Sequence, residues 1–353
     1  RTRATFLPPD RTKMVGVSFV TTALTMNNPL PSADTRRHFD GGFDLTPELI
    51  QTFEERVARD VAEPLILNRS PEITTGVDLE ETCAEGMTAL MHAAKHRLTG
   101  AVFELLERGA LVNTRNSLKS HTALMYAAEE DENTAVIYML LQAGADVNAV
   151  NQHGETALHV ACDTSRADEC FLLLCNGADI FARDNEGNTP LHVACREDGV
   201  MQIALIMVHL GGDIYAVNNE GESAMHISVF ADGGVESLLG YYCLNMDLRF
   251  RNREGNTLLH TVSEVSQYGH DAIEALMALD PTLAHVTNND GDMPIHLYAR
   301  EGWTPGVEQL AAVGGSMSVP NSKGKTPAQI ASDAGEEETL LAITTALAQQ
   351  QRK

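Results

Sequence analysis

One stretch recurs. Gly154-Glu155-Thr156-Ala157-Leu158-His159-Val160-Ala161-Cys162 returns almost letter for letter as Gly187-Asn188-Thr189-Pro190-Leu191-His192-Val193-Ala194-Cys195, and the two copies start 33 residues apart (187 minus 154). Self-similarity at that period constrains the chain more than any local propensity does. A unit of this length cannot bury its own apolar face, so successive units must stack into an array.

The opening glycine of the motif serves as a marker. It falls at Gly86, Ser120 (where the glycine is replaced), Gly154, Gly187, Gly221, Gly255, Gly291 and Gly324, at intervals of 34, 34, 33, 34, 34, 36 and 33. Thr or Ser after the marker suits the head of a first helix, where its oxygen can accept a free backbone N–H, and Pro190 and Pro294 suit the first helical turn. Small pairs such as Ala93-Ala94 and Ala127-Ala128 let neighbouring helices approach. A second apolar cluster follows in each unit, as in Leu105-Leu106, Leu140-Leu141 and Leu173-Leu174, and these pairs are expected to face the core. The glycine after each cluster suits a left-handed helix stop. The polar stretch beyond, such as Asn218-Asn219-Glu220-Gly221, is turn chemistry. One unit is therefore helix, turn, helix and a projecting hairpin.

This pattern resembles the ankyrin repeat family, eight units over residues 76–353. The resemblance implies an all-α ankyrin-repeat solenoid with a helical N-terminal extension. Departures are expected at Ser120, whose hairpin is one residue longer, and around Ser266–His270, where the sixth unit has extra residues. Pro281 stands where a stop glycine would be, and the eighth unit, with Leu340, Leu341, Ile343 and Leu347 at helical spacing, reads as a C-terminal cap.

Before the repeats, residues 1–46 carry no strong periodicity and read as a flexible or partly ordered leader. Residues 47–75 read as an N-terminal helix and capping segment. Thr46 caps it and Pro47 opens it, while Ile50, Phe53, Val57 and Val61 fall on one face, and Pro64 ends the helix.

Composition excludes some functions. The net charge is −24 and the sequence pI about 4.8, which disfavours nucleic acid, since phosphates need Lys and Arg. No apolar run is long enough for a membrane span. Six cysteines without a CxxC pair or zinc spacing read as free thiols, which suits a cytoplasmic location, with a nuclear one left open. His159 with Cys162, and His192 with Cys195, look like ligand pairs, but the repeat explains them: Cys stands where other units have the second Ala. In the family, the histidine of this motif bonds backbone between repeats, so His159, His192, His226, His260 and His296 are expected to be structural. No nucleophile elbow, phosphate loop or nucleotide fingerprint appears. The expectation is therefore no catalytic residue, no metal and no cofactor.

The resemblance also implies a protein-binding groove made of hairpin tips and the exposed ends of first helices. Carried over by position, the hairpin candidates begin with Lys119, Gln152, His153, Glu155, Asn185 and Glu186. They continue through Asn188, Asn219, Glu220, Glu222, Arg253 and Glu254 to Asn289, Asp290 and Asp292. The helix-end candidates are Glu129, Glu130, Asp163, Arg196, Glu197, Phe230, Glu264, Arg300 and Glu301, and Trp303 adds the one tryptophan of the chain. Acids outnumber bases in this set, so a basic protein segment is the expected partner of a non-enzymatic adaptor, scaffold or inhibitor. The alternative is a regulatory or targeting module of a larger enzyme or channel whose active part lies elsewhere.

Overall fold

The computed structural model describes residues 78–196, 201–228, 247–262 and 269–350. The expected leader, the helix and capping segment over 47–75, and the candidates Glu197, Phe230 and Glu264 lie outside the described residues. Regular structure among the described residues is helical. The hairpins between repeats are turns, with one isolated antiparallel bridge between Val217 and Ser223.

The chain divides into two compact units. The first runs to Asn185 and takes in Gly199–Gly212; the second holds Glu186–Asp198 and everything from Asp213 onward. In the first unit, helix α1 (Ala89–Lys95) pairs with α2 (Thr99–Glu107), α3 (Ala123–Ala128) with α4 (Thr134–Gln142), and α5 (Ala157–Asp163) with α6 (Ala167–Cys175). Helix α8 (Met201–His209) packs on α6. First helices stack in one layer, α1 on α3 on α5, and second helices in another, α2 on α4 on α6.

The second unit repeats this with α7 (Pro190–Arg196), α9 (Ala224–Ser228) and α10 (Leu258–Thr261), then α11 (Gly269–Leu279), α12 (Pro294–Glu301) and α13 (Thr304–Ala312). It ends in α14 (Pro327–Ala334) and α15 (Glu337–Gln350). Helix α9 lies on α7 and α10, α12 on α10 and α14, and α13 on α11 and α15.

The residues explain these elements. Thr88 and Thr122 Oγ1 each accept the N–H of the third helical residue, Met91 and Met125, at 3.3 Å. The alanine pairs are fully buried between layers, and Leu90, Leu124 and Leu158 fill the space beside them. Of each Leu pair on the second helix only the first is core: Leu105, Leu140 and Leu173 are buried, whereas Leu106, Leu141 and Leu174 are half-exposed. Each such buried leucine contributes about 1.5–3 kcal/mol.

Helix stops follow the glycines: Gly109, Gly144, Gly177 and Gly314 all have left-handed φ, from 84° to 96°. At Pro281 the chain instead enters a 3-10 helix, Pro281–His285, whose entry is capped by Asp280 accepting the Thr282 N–H at 3.0 Å. The last unit does cap the array, but Leu341 points outward, 67% exposed, while Ile343 is buried.

Candidate functional site

The hairpin tips are built by an asparagine that recurs with the repeat. Asn151 Oδ1 accepts the N–H groups of His153 and Glu155 at 2.8 and 3.0 Å. Asn218 does the same for Glu220 and Glu222, Asn252 for Glu254 and Asn256, and Asn288 for Asp290 and Asp292, all between 2.9 and 3.1 Å. One side chain thereby closes each tip from the inside. In the first unit's longer tip, Asn116 Oδ1 accepts Leu118 and Lys119 instead, and Ser120 holds φ at 58° where other units have glycine.

Tips are also tied to one another through backbone. Gln152 N–H donates to Lys119 O at 3.1 Å and Asn185 N–H to His153 O at 2.8 Å in the first unit. In the second, Asn219 donates to Glu186, Arg253 to Gly221 and Asn289 to Glu254, at 2.9, 3.1 and 3.0 Å. Within each unit the tip side chains therefore stand on a row tied from one tip to the next.

The tip asparagines were missed as a set by sequence reasoning, which read them as turn formers. The available clue was their own period: Asn116, Asn151, Asn218, Asn252, Asn288 and Asn321 mark successive units, with Asp184 in between.

The motif histidines lie inside. His159 Nδ1 accepts the Thr156 N–H at 3.2 Å. At His226, His260 and His296 in the second unit both ring nitrogens are engaged. Nδ1 of His260 accepts the Thr257 N–H at 3.1 Å while Nε2 donates to Asp292 O at 3.0 Å, one repeat on. His226 bonds Asn256 O, and His296 bonds Val319 O, in the same way at 3.0 and 3.1 Å. Burial lowers the pKa of His226 and of His260 to about 4, against the partial opposition of the carbonyl each one bonds. These rings stay neutral and hold repeat to repeat. Among the described residues, no group of three His, Cys, Asp or Glu side chains is placed to hold a metal ion.

Several expected groove residues are placed differently. Asn188 and Asp292 are buried, and their side chains accept the amides of Asn218 and Asn321 at 2.9 and 2.6 Å. Asp292 also takes Arg300 as an ion-pair partner at 2.5 Å. Burial pushes the Asp292 carboxyl up, but the bonds from Asn321 and Arg300 outweigh it and hold the group below the usual carboxylate range. Arg300 thus spends its charge inside its own unit. Glu129 is half-buried and lies 3.2 Å from His121, and Glu130 beside it is half-buried. Glu155 accepts the Asn151 amide at 2.7 Å.

Trp303 turns back on its own repeat: its ring meets Tyr298 edge-on at 4.7 Å and covers Gly306, leaving the indole half-exposed. Arg253 lies over Gly221, where a Cβ would strike its side chain. Gln152, His153, Asp163, Asn185, Arg196 and Asn219 are exposed, as are Asn289 and Glu301, and Glu222 is half-buried.

What remains outermost differs between the units. At the residue two beyond each tip asparagine (or Asp184), the second unit carries Glu186, Glu220, Glu254 and Asp290, all exposed. The first carries Leu118 and His153. Lys323 ends the acidic row and lies 3.8 Å from Asp290.

Comparison with known proteins agrees with this architecture. The family model for ankyrin repeats (three copies) matches residues 58–151 and 124–217. The matched stretch consists of ankyrin repeats, and such repeats are a protein-interaction module. It is 36% identical over 91 residues to ankyrin repeat protein FPV031 of fowlpox virus, and 41% over 71 residues to ankyrin repeat and SOCS box protein 6 of Homo sapiens. It is 39% identical over 85 residues to the B-cell lymphoma 3 protein homolog of Mus musculus. These matches cover 25%, 20% and 24% of this chain, and 26%, 17% and 19% of the relatives. No helix among the described residues is long and apolar enough to cross a membrane.

Proposed function

We propose that the chain is a non-enzymatic adaptor, scaffold or inhibitor that binds a basic protein segment along the hairpin tips of its second unit. One observation carries this reading: Glu186, Glu220, Glu254 and Asp290 occupy one register position in successive repeats, exposed and on a backbone-tied row. A row of like charges at fixed spacing suits an extended segment with Lys or Arg at intervals. Such surface charges act mainly on encounter rate and its salt dependence. The free thiols among the described residues support a reducing, cytoplasmic location.

The test is charge reversal of all four tip acids to Lys in the full chain, assayed by surface plasmon resonance against an immobilised library of Lys/Arg-rich and Asp/Glu-rich peptides. The reading expects basic peptides to bind the native chain, with an on-rate at low salt that the reversal lowers by about tenfold or more. Equal binding of basic peptides by both chains would refute it. A second reading makes the repeats the regulatory or targeting part of a longer protein. The matched stretch takes up only 17–26% of the relatives' length, which favours it.

A further inference from the structure

The third described repeat holds two facing thiols where the two repeats before it hold hydrocarbon; the repeat after it shares only the first, as Cys195. Counted from the Thr that opens each first helix, Cys162 takes the place of Ala94 and Ala128. Counted back from each stop glycine, Cys170 takes the place of Val102 and Ile137. All six side chains are at 0% exposure. Packing at this contact is thus satisfied by Ala against Val or Ile and has no need of sulfur on both sides. The two Sγ atoms lie 3.7 Å apart, one on α5 and the other on α6, and both cysteines are free. A disulfide holds its sulfurs at about 2.05 Å, so a small side-chain rotation and a slight approach of the helices would close the bond.

We propose that Cys162 and Cys170 are an oxidisable pair, a modification site that closes to an intramolecular disulfide when a small-molecule disulfide such as glutathione disulfide is the oxidant. One thiol of the pair gives its proton to solvent, and its thiolate attacks a glutathione sulfur, releasing one glutathione thiolate. The second thiol is likewise deprotonated and attacks the protein sulfur of that mixed disulfide, releasing the other. Two protein S–H bonds are lost and one protein S–S bond is formed. The two electrons reduce glutathione disulfide, and the two protons end on the glutathione products.

Burial, reinforced by the hydrogen bond with Cys162, pushes the Cys170 thiol well above its ordinary range. The pair is therefore inert while the repeat is closed, and reacts when α6 lifts from α5. The product ties the two helices of one repeat together and opposes the next opening. This site is independent of the acidic tips.

The experiment uses the reduced full chain in glutathione redox buffers of rising oxidised fraction, with thiols trapped by N-ethylmaleimide in denaturant, followed by intact mass and peptide mapping. The expected product carries two fewer N-ethylmaleimide groups than the trapped reduced chain and, beyond these, two fewer hydrogen atoms; it holds a Cys162–Cys170 link and forms at least about tenfold more slowly than glutathionylation of exposed Cys83. Cys162→Ala and Cys170→Val, which install the residues of neighbouring repeats, should fold and lose the link. Amide exchange across α5 and α6 should slow on oxidation of the native chain but in neither variant. The proposal is overturned if both thiols still take up N-ethylmaleimide once the chain has reached redox equilibrium in buffer that oxidises Cys83, or if the link maps to another cysteine or between chains.

Discussion

The two compact units share one repeat and differ in how they use its polar positions. In the first two described repeats the third helical residue is Met91 or Met125, buried and apolar; it becomes His159 in the third, and in the second unit it is His192, His226, His260 or His296 before Gln329 in the last repeat. The turns between paired helices differ too. The first unit places Arg97, Glu132 and Ser165 at positive φ, whereas the last two repeats use Gly302 and Gly335. The tips change from Leu118 and His153 to four acids. Apolar packing is nearly interchangeable between the units, and their individuality lies in hydrogen bonds and charge.

That contrast can be broken first where it claims equality. Leu140 in the first unit and Leu310 in the second occupy the same buried position at 0% and 1% exposure. Each change to Ala should cost about 2–5 kcal/mol in chemical denaturation. Leu141→Ala, at the half-exposed neighbour, should cost markedly less; a larger loss there than at Leu140 would mean the assigned register is wrong.

Acid should separate the units next. The folded-state pKa values of His226 and His260 lie near 4, below the ordinary 6.5. Their contribution is present above pH 6.5 and is lost as pH falls from there through about 4, because the unfolded chain takes up protons the folded one refuses. Each is worth about 3 kcal/mol over that window. Glu169, buried in the first unit, runs the other way: burial raises its pKa, so its contribution is greatest at low pH and fades as pH rises through the folded value. Hydrogen exchange between pH 7 and pH 4 should therefore loosen α9, α10 and α12 before α1 to α4. Uniform loosening would remove the histidines from the explanation.

A smaller effect sits at the turns. Ser165→Gly relieves a left-handed φ of 58° and should raise the thermal midpoint, by about 1 kcal/mol in stability. Smallest of all, Leu118→Glu with His153→Glu would copy the second unit's tip chemistry onto the first. The on-rate for a basic peptide at low salt should rise about threefold, and an unchanged rate would confine the function to the second unit.

Much of the fold was legible in the sequence because every local feature recurred at one period: capping Thr, alanine pair, stop glycine and motif histidine. The binding surface was less so. Asn188, Asp292 and Arg300 looked like exposed polar residues, and only the approach of the next repeat turns the first two inward and sends the arginine to an internal partner. Trp303 stood in the predicted set as the one tryptophan, and the sequence did not show that Tyr298 and Gly306 lie against its ring. A position-by-position carry-over gives the address of a side chain and leaves out which neighbour claims it. The acidic row at Glu186, Glu220, Glu254 and Asp290 lay inside the predicted set, but it separates from the rest only when tip residues are compared at equal distance from the closing asparagine.

The marker glycines have a further consequence. A Cβ on Gly154 would come within 2.9 Å of Asn185 N, on Gly187 within 3.0 Å of Asn219 N, on Gly255 within 2.7 Å of Asn289 N and on Gly291 within 2.8 Å of Ser322 N. Each tip is thus the seat on which its successor rests, and the seat fits a successor of one shape. A chain built this way can gain or lose whole repeats with each joint intact, and it tolerates extra residues between two tips where the seat itself is kept, as in the 36-residue interval from Gly255 to Gly291. The constant in such a molecule is the joint between tips, and its surface can be rewritten tip by tip while every joint keeps its shape.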